Sequence, residues 1–475
     1  MRTLIENAEV DGRTVSVVID GGKVEALGDV SIAAEDHFDV RLDAAGGALL
    51  PGLHDHHVHL LAMAARRNGV DGDGIDSPDS FDDALHDGAR RTGAEWLRVS
   101  GFDEFRHGEL DRDRLDAIVG DQRVRVQHRS GLAWVLSSAG LDEVLGGVAQ
   151  ADLPDGVERT PDGRPTGRLL RLDAWLSERI GFSAPSLEGM GADLAAFGLT
   201  GVTDATYALG IGRATILRRA IVDGLIPQRL VLLGTDRSEI DAIDALEQGS
   251  GPWAQIGPMK IVIDEVLGLD PDALAERIVS AHDSDRAVAV HAVSRAETVT
   301  TATAFAIAGT LSGDRIEHGS VLPTDLDPLL ANTGLTVVVQ PGLVYERGDF
   351  YRDVVSLEDA AVLHRAASLL DAGIAVSVGT DAPVSSVDPW ATIAAASTRR
   401  TRSGHVLGAE EAVSARTALD WYLTDPLDPG GAVRTVRVGS TADLCLLALP
   451  LSTALAAPDA RHVRATWVGG RLVHS

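Results

Sequence analysis

The chain has 475 residues, with 42 Lys+Arg against 70 Asp+Glu and a formal charge of −28. So acidic a field repels nucleic acid and anionic membranes as main partners. One cysteine, Cys445, excludes an internal disulfide framework or a cysteine-rich zinc site, and 45% apolar with 24% charged residues is the balance of a globular protein.

In chain order, the opening MRTLIENAEVDGRTVSVVID lacks the apolar core of a secretory leader. No later run approaches the roughly 18 apolar residues of a membrane helix. A cytoplasmic protein is expected. Residues 14–19 and 23–27 alternate apolar and polar positions between glycine turns, as antiparallel strands do. Ala48-Leu49-Leu50, leading to His57, starts a series of eight short apolar runs, followed by 199–204, 229–233, 259–264, 287–291, 315–318, 335–339 and 374–378. Helical patterns at 271–282, 296–308 and 358–372 separate some of them. Strands alternating with helices predict parallel pairing, and eight units close naturally into a barrel; a doubly wound open sheet is the rival.

The interval 61–198 is too long for one crossover and reads as an inserted subdomain. It carries strand candidates at 96–100 and 124–128, an acidic opening at 71–87 read as a solvated loop, and a turn at Thr160-Pro161-Asp162-Gly163. Residues 340–349 after the seventh run read as an exposed loop. The final stretch, with runs at 442–447 and 463–468, alternates like the first, so both termini are expected to build one small β-sandwich.

Only two lysines occur, Lys23 in a glycine turn and Lys260 inside the apolar run Gly-Pro-Met-Lys-Ile-Val-Ile-Asp. Arginine cannot lose its proton in a protein, whereas a desolvated lysine can. The plain alternative for Lys260 is an ion pair, with Asp264 at hand. The densest polar signal is Pro51-Gly52-Leu53-His54-Asp55-His56-His57-Val58-His59. Residues two apart on a strand share a face, so His57 and His59 can grip one ion with Asp55 on the same side. His54 and His56 then point away as packing or surface residues. His291, His318 and Asp381 fall at or just past the ends of the fifth, sixth and eighth runs, the rim that carries barrel active sites. Glu317 has the opposite parity from His318 and is expected to face the helices. Trp96, Trp134 and the basic stretch 123–129 read as core strands of the insertion.

PGLHDHHVH, MKIVIDE, VAVHAV, RIEHGS and SVGTDAP together resemble the amidohydrolase superfamily, particularly its family-3 branch, and the likeness extends to the terminal ADLCLL and VGGRLV. The resemblance implies an α/β fold: a distorted (β/α)8 TIM barrel over 51–427, a small β-sandwich from 1–50 plus 428–475, and an inserted subdomain at 62–198 between the first and second barrel strands. It implies a divalent metal cofactor, zinc by expectation, as one or two ions. His57 and His59 would bind one ion and His291 and His318 a second. Lys260, carboxylated by CO2 on its ε-nitrogen, would bridge them, and Asp381 would be both ligand and general acid/base. Where relatives carry a histidine and an asparagine in the insertion, this chain has Leu132 and Leu136, so their substrate contacts do not transfer.

The expected function is metal-dependent hydrolysis of a carbon–nitrogen bond, an amide or cyclic amide, in a small molecule by activated water. The alternatives are a one-ion deaminase-type or C–O bond hydrolase on the same barrel, and a non-catalytic binding scaffold. No nucleic-acid or membrane partner is expected, and homo-oligomerisation is left open.

Overall fold

The computed structural model describes residues 2–29, 37–92, 95–129, 131–148, 152–181, 184–234, 254–265 and 268–475. The chain divides into two compact units, Met1–Leu60 with Leu187–Ser475, and Leu61–Ser186.

In the first unit the chain ends form two four-stranded sheets. Thr3–Val10 pairs antiparallel with Arg13–Asp20 and parallel with Val40–Asp43, and Lys23–Gly28 completes that sheet. Val463–Val468 lies between Arg471–His474 and Leu444–Leu447, which in turn pairs with Leu49–Pro51. The two sheets share one core that includes Ile5, Val17, Ile19, Leu49, Leu444, Leu446 and Trp467. Alternation along each strand is what supplies an apolar inner face to both sheets. Leu49 and Leu50 therefore belong here, not to the first strand of the parallel series. The chain breaks at Gly52, where a Cβ would lie 2.1 Å from Thr200 Cγ2, and the parallel strand is Leu53–Val58.

Among the described residues eight parallel strands follow in sequence order, with a short ninth, Ala254–Ile256, at one sheet edge. Leu53–Val58, Leu199–Asp204 and Arg229–Leu232 make one sheet, extended by Ala254–Ile256. Met259–Val262, Val288–Ala292, Arg315–His318, Thr336–Val339 and Ala375–Val378 make the other. Backbone bonds run between these sheets at two places. Lys260 N donates to Gly234 O at 2.8 Å. At the other place, Asp381 N donates to His57 O at 2.7 Å and His59 N to Ala382 O at 2.8 Å.

Crossover helices are punctuated by local chemistry. Pro271–His282 starts at Asp270, whose carboxylate accepts from the amides of Asp272 and Ala273, and Arg295–Ala308 starts with a Ser294–Glu297 capping box. Two expectations fail around the seventh crossover. The segment read as a loop is the helix Gly342–Val354, entered from Pro341 in a helical conformation, with Leu343, Val344 and Gly348 buried. The helix expected over 358–372 is split into Leu357–Ala360 and Ala367–Asp371. Between them the backbone is pulled out of helical geometry: His364 has φ +49°, and the buried Arg399 guanidinium takes the carbonyls of Leu363 and His364.

The second unit is a six-stranded mixed sheet. Val70–Asp71, Leu97–Phe102 and Val124–His128 run parallel, and Ala133–Leu136, Pro165–Leu170 and Val157–Arg159 continue it antiparallel. The acidic opening is not a loop for most of its length. Pro78–Thr92 is a helix burying Phe81, Leu85 and Gly88 at four- and three-residue spacing, with its acids directed outward. The basic stretch is spent on structure, with Arg123 paired to Glu143, Arg125 over Trp134 and Arg129 on Asp103 at 2.6 Å. Leu132 is exposed and Leu136 buried. This unit ends at Ser186 rather than 198. The helix Met190–Ala196 belongs to the first unit, where Gln228 Nε2 donates to Gly191 O. Among the described residues no helix is long and apolar enough to cross a membrane.

Candidate metal centre

Every residue of Leu53–Val58 is buried, so its polar side chains must find partners inside the protein. His57 points to the side where the sixth and eighth strands end. Its Nε2 lies 3.5 Å from Asp381 Oδ1, and its ring centroid lies 4.8 Å from that of His318. His59 Nε2 is 3.1 Å from the same Asp381 oxygen. His291 joins through His318, with ring centroids 4.6 Å apart. One donor atom each from His57, His318 and Asp381 falls within 4.8 Å of the others.

Backbone geometry at the strand ends explains the convergence. His318 has φ +75° and Asp381 φ +57°, left-handed conformations that turn these side chains out of strict alternation. The eighth strand can approach the first because residue 379 is glycine: a Cβ there would lie 2.3 Å from His57 Cβ. Asp55 fastens the same junction. Its carboxylate accepts from His57 N at 3.1 Å, Thr380 N at 3.0 Å and Thr380 Oγ1 at 2.6 Å, and burial pushes its pKa up to about 7. It therefore braces the backbone that carries Asp381.

Lys260 is buried on the fourth strand, and among the described residues its Nζ has no hydrogen-bond partner; Asp264 lies exposed. Burial lowers the lysine pKa below its ordinary value. The lysine charge is felt at His57 and His291, which places the amine near the cluster. Burial also lowers the pKa of His57, His318 and His291, the last to about 4, so these imidazoles are neutral and offer a lone pair. Burial opposes the Asp381 charge, but the hydrogen bond from His59 leads the interactions that outweigh it and hold the carboxyl below the usual carboxylate range.

Glu317 does not face the helices. It is fully buried beside His57, with one carboxylate oxygen on His57 Nδ1 and the other accepting from Arg315 Nε at 2.6 Å. The parity argument fails because the left-handed turn at His318 lets consecutive residues serve the same cluster. Gln340 and Thr206 were also missed: Gln340 Oε1 lies 3.0 Å from His318 Nδ1, and Thr206 Oγ1 lies 3.2 Å from His59 Nδ1. The available signal was two ionisable residues, Arg315 and Glu317, in a strand short enough to be wholly buried. His54 and His56 lie on the other side of the first strand, bonded to Thr203 and to Thr424 with Trp421 O respectively.

The donor set fits a divalent cation. Among the described residues, His57 Nε2 and Lys260 Nζ are buried polar atoms without hydrogen-bond partners, and imidazole nitrogen with carboxylate oxygen suits zinc and its first-row neighbours.

Comparison with known proteins bears on the same chemistry. Over 491 aligned residues the chain is 26% identical to an N-substituted formamide deformylase of Arthrobacter pascens, covering 91% of this chain and 89% of that protein. It is 24% identical over 440 residues to the putative amidohydrolase YtcJ of Bacillus subtilis (strain 168), covering 84% and 82% respectively. Its fold resembles that of an uncharacterized metal-dependent hydrolase from Pyrococcus horikoshii, with a TM-score of 0.77, 19% identity, and coverage of 97% of this chain and 100% of the other. The sequence pattern of the amidohydrolase family matches residues 41–474, and with that extent of match the chain belongs to the amidohydrolase family as a metal-dependent hydrolase acting on carbon–nitrogen bonds.

Proposed function

We propose that this protein cleaves the amide or cyclic amide bond of a small molecule by activated water, with Asp381 as general acid/base. The eight parallel strands are read as a closed, distorted barrel, with the backbone bonds at Lys260 and at Asp381–His57 as its seams. His57, His59, His291, His318, Asp381 and, once carboxylated, Lys260 would hold the divalent metal. The observation that carries this reading is the gathering of His57, His59 and His318 around one ionised carboxylate at the strand ends.

A divalent ion supplies Lewis-acid polarisation of the scissile carbonyl and brings the pKa of water toward about 7. The chain's own residues handle the proton. Asp381, kept ionised with the help of the His59 hydrogen bond, accepts a proton from the attacking water on a carboxylate oxygen. It returns that proton to the leaving nitrogen, so the amine departs neutral and the acyl carbon ends as a carboxylic acid. Lys260 is suited to carboxylation because its amine is buried, is unpartnered among the described residues, and has its pKa lowered by burial, and addition of CO2 to a neutral amine gives the carbamate with release of one proton. Similarity to a formamide deformylase supports N-acyl amines as the first substrate class to try.

Elemental analysis of protein purified without chelator, with turnover of N-acyl amines and cyclic amides, tests the reading. About two ions per chain are expected. A one-ion centre with unmodified Lys260 is the second reading, favoured by the three-residue gathering His57, His318 and Asp381, and about one ion per chain would establish it over the first. Asp381→Asn should lose about 10²–10⁴-fold in kcat while retaining most of its metal. Undiminished turnover in that variant rejects the mechanism.

A further inference from the structure

The three imidazoles around Asp381 each use Nδ1 for a different partner. His57 meets the Glu317 carboxylate, His318 the Gln340 amide oxygen and His59 the Thr206 hydroxyl. Two of these contacts fix the tautomer. Glu317 presents an acceptor oxygen to His57, because its other oxygen is ion-paired with the Arg315 guanidinium, whose Nε donates to it at 2.6 Å; the proton therefore sits on His57 Nδ1. Gln340 Nε2 is committed to Val338 O at 2.9 Å, so Oε1 faces His318 and the proton sits on His318 Nδ1. Nε2 of both rings is then a bare lone pair on the side of Asp381.

These partners differ in charge. A carboxylate on Nδ1–H raises the electron density at Nε2 more than a neutral amide does, and an amide more than a hydroxyl that can also donate. Glu317 is itself locked. Arg315 Nε holds its second oxygen at 2.6 Å, and both residues are fully buried on one strand.

We propose that Glu317 is the positioning residue that makes His57 the anchor ligand of the metal centre, with Gln340 and Thr206 performing graded, weaker versions of the same task for His318 and His59. The proposal rests on the reading of the strand-end cluster as a metal centre. Arg315 keeps Glu317 charged and oriented; Glu317 keeps the His57 ring plane and tautomer set before the ion arrives. The metal-free chain would thus be organised around His57, and the other two rings would adjust to it.

The test is Zn2+ affinity of metal-free protein, measured by competition with a chromophoric chelator and needing no substrate. Glu317→Gln preserves shape and an acceptor but removes the charge, and should weaken Zn2+ binding about 10–100-fold. Gln340→Ala should lose less and Thr206→Val least. In the Co2+-loaded protein, Glu317→Gln should also shift the visible absorption bands, which a merely structural role would leave in place. Because Glu317→Gln strands the Arg315 charge, the double variant Arg315→Met/Glu317→Gln is measured beside it and should show the same loss of affinity. Zn2+ affinity of both variants within about threefold of the parent overturns the proposal while leaving the metal centre standing. A parent protein that takes up no Zn2+ overturns the metal centre itself, and the proposal with it.

Discussion

The first parallel strand carries two histidine pairs, and the contrast between them shows what makes a buried imidazole chemically useful. His56 and His57 are adjacent and both fully buried, and each has one bonded ring nitrogen and one without a partner. Burial and hydrogen-bond count do not separate them. Their surroundings do. His56 Nε2 lies 3.2 Å from Trp421 O and 3.0 Å from Thr424 Oγ1, and burial with the Arg315 and Arg434 charges drives its pKa down to about 3. His57 instead meets Glu317 and Asp381, two carboxylates whose charges draw a cation to the free nitrogen. Carboxylates facing the ring are what let the His57 side host an ion.

Substitution along this strand sharpens the contrast. His57→Asn is expected to abolish stable metal binding and turnover together, whereas His56→Asn should keep the parent's metal stoichiometry and lose only folding stability, about 1–3 kcal/mol. Equal metal loss in both variants would break the distinction. Metal analysis and chemical denaturation read the two outcomes.

His364 extends the comparison to another buried imidazole, beside Tyr351. Among the described residues both its ring nitrogens lack hydrogen-bond partners, and burial with the Arg399 charge pushes its pKa down to about 3. The folded chain holds it neutral while the unfolded chain protonates it below its ordinary pKa near 6.5. Unfolding therefore takes up a proton in the window from about pH 6.5 down to 3, and stability falls as pH falls through it. His364→Asn, which tolerates the left-handed backbone, should remove up to about 1.4 kcal/mol of that loss per pH unit. Denaturation midpoints at pH 7 and pH 5 would measure it; an unchanged slope would contradict the assignment.

The smallest expected effect lies behind His56. Thr424→Val removes the hydroxyl bonded to His56 Nε2 and should cost about 1 kcal/mol in denaturant, with metal content and kcat unchanged. A change in kcat would mean that the rear face of the strand communicates with the front.

Much of this architecture was legible in short windows of sequence. Period-two alternation located the terminal sheets, and short apolar runs separated by helical patterns located the parallel strands. Other elements were misread because their cause lies outside the window. The 358–372 segment carries helical periodicity, but Arg399, distant in sequence, draws off the carbonyls of Leu363 and His364 and splits it. Residues 71–87 look like solvated acid, yet Phe81 and Leu85 bring most of that stretch onto a helix against an apolar core.

Residue chemistry by itself set the inventory: histidines two apart on a strand, one lysine in an apolar run where every other interior cation is arginine, and an aspartate after the last strand. Local spacing is enough for that, because strand periodicity assigns faces without reference to the rest of the chain. Which groups are electrically joined was decided only in three dimensions. Glu317 belongs beside His57, 260 positions away, because His318 adopts a left-handed backbone and Gly379 lets two strands close to contact. Alternation presumes a regular strand, and at the strand ends backbone torsion and steric clearance, set by neighbours remote in sequence, take its place.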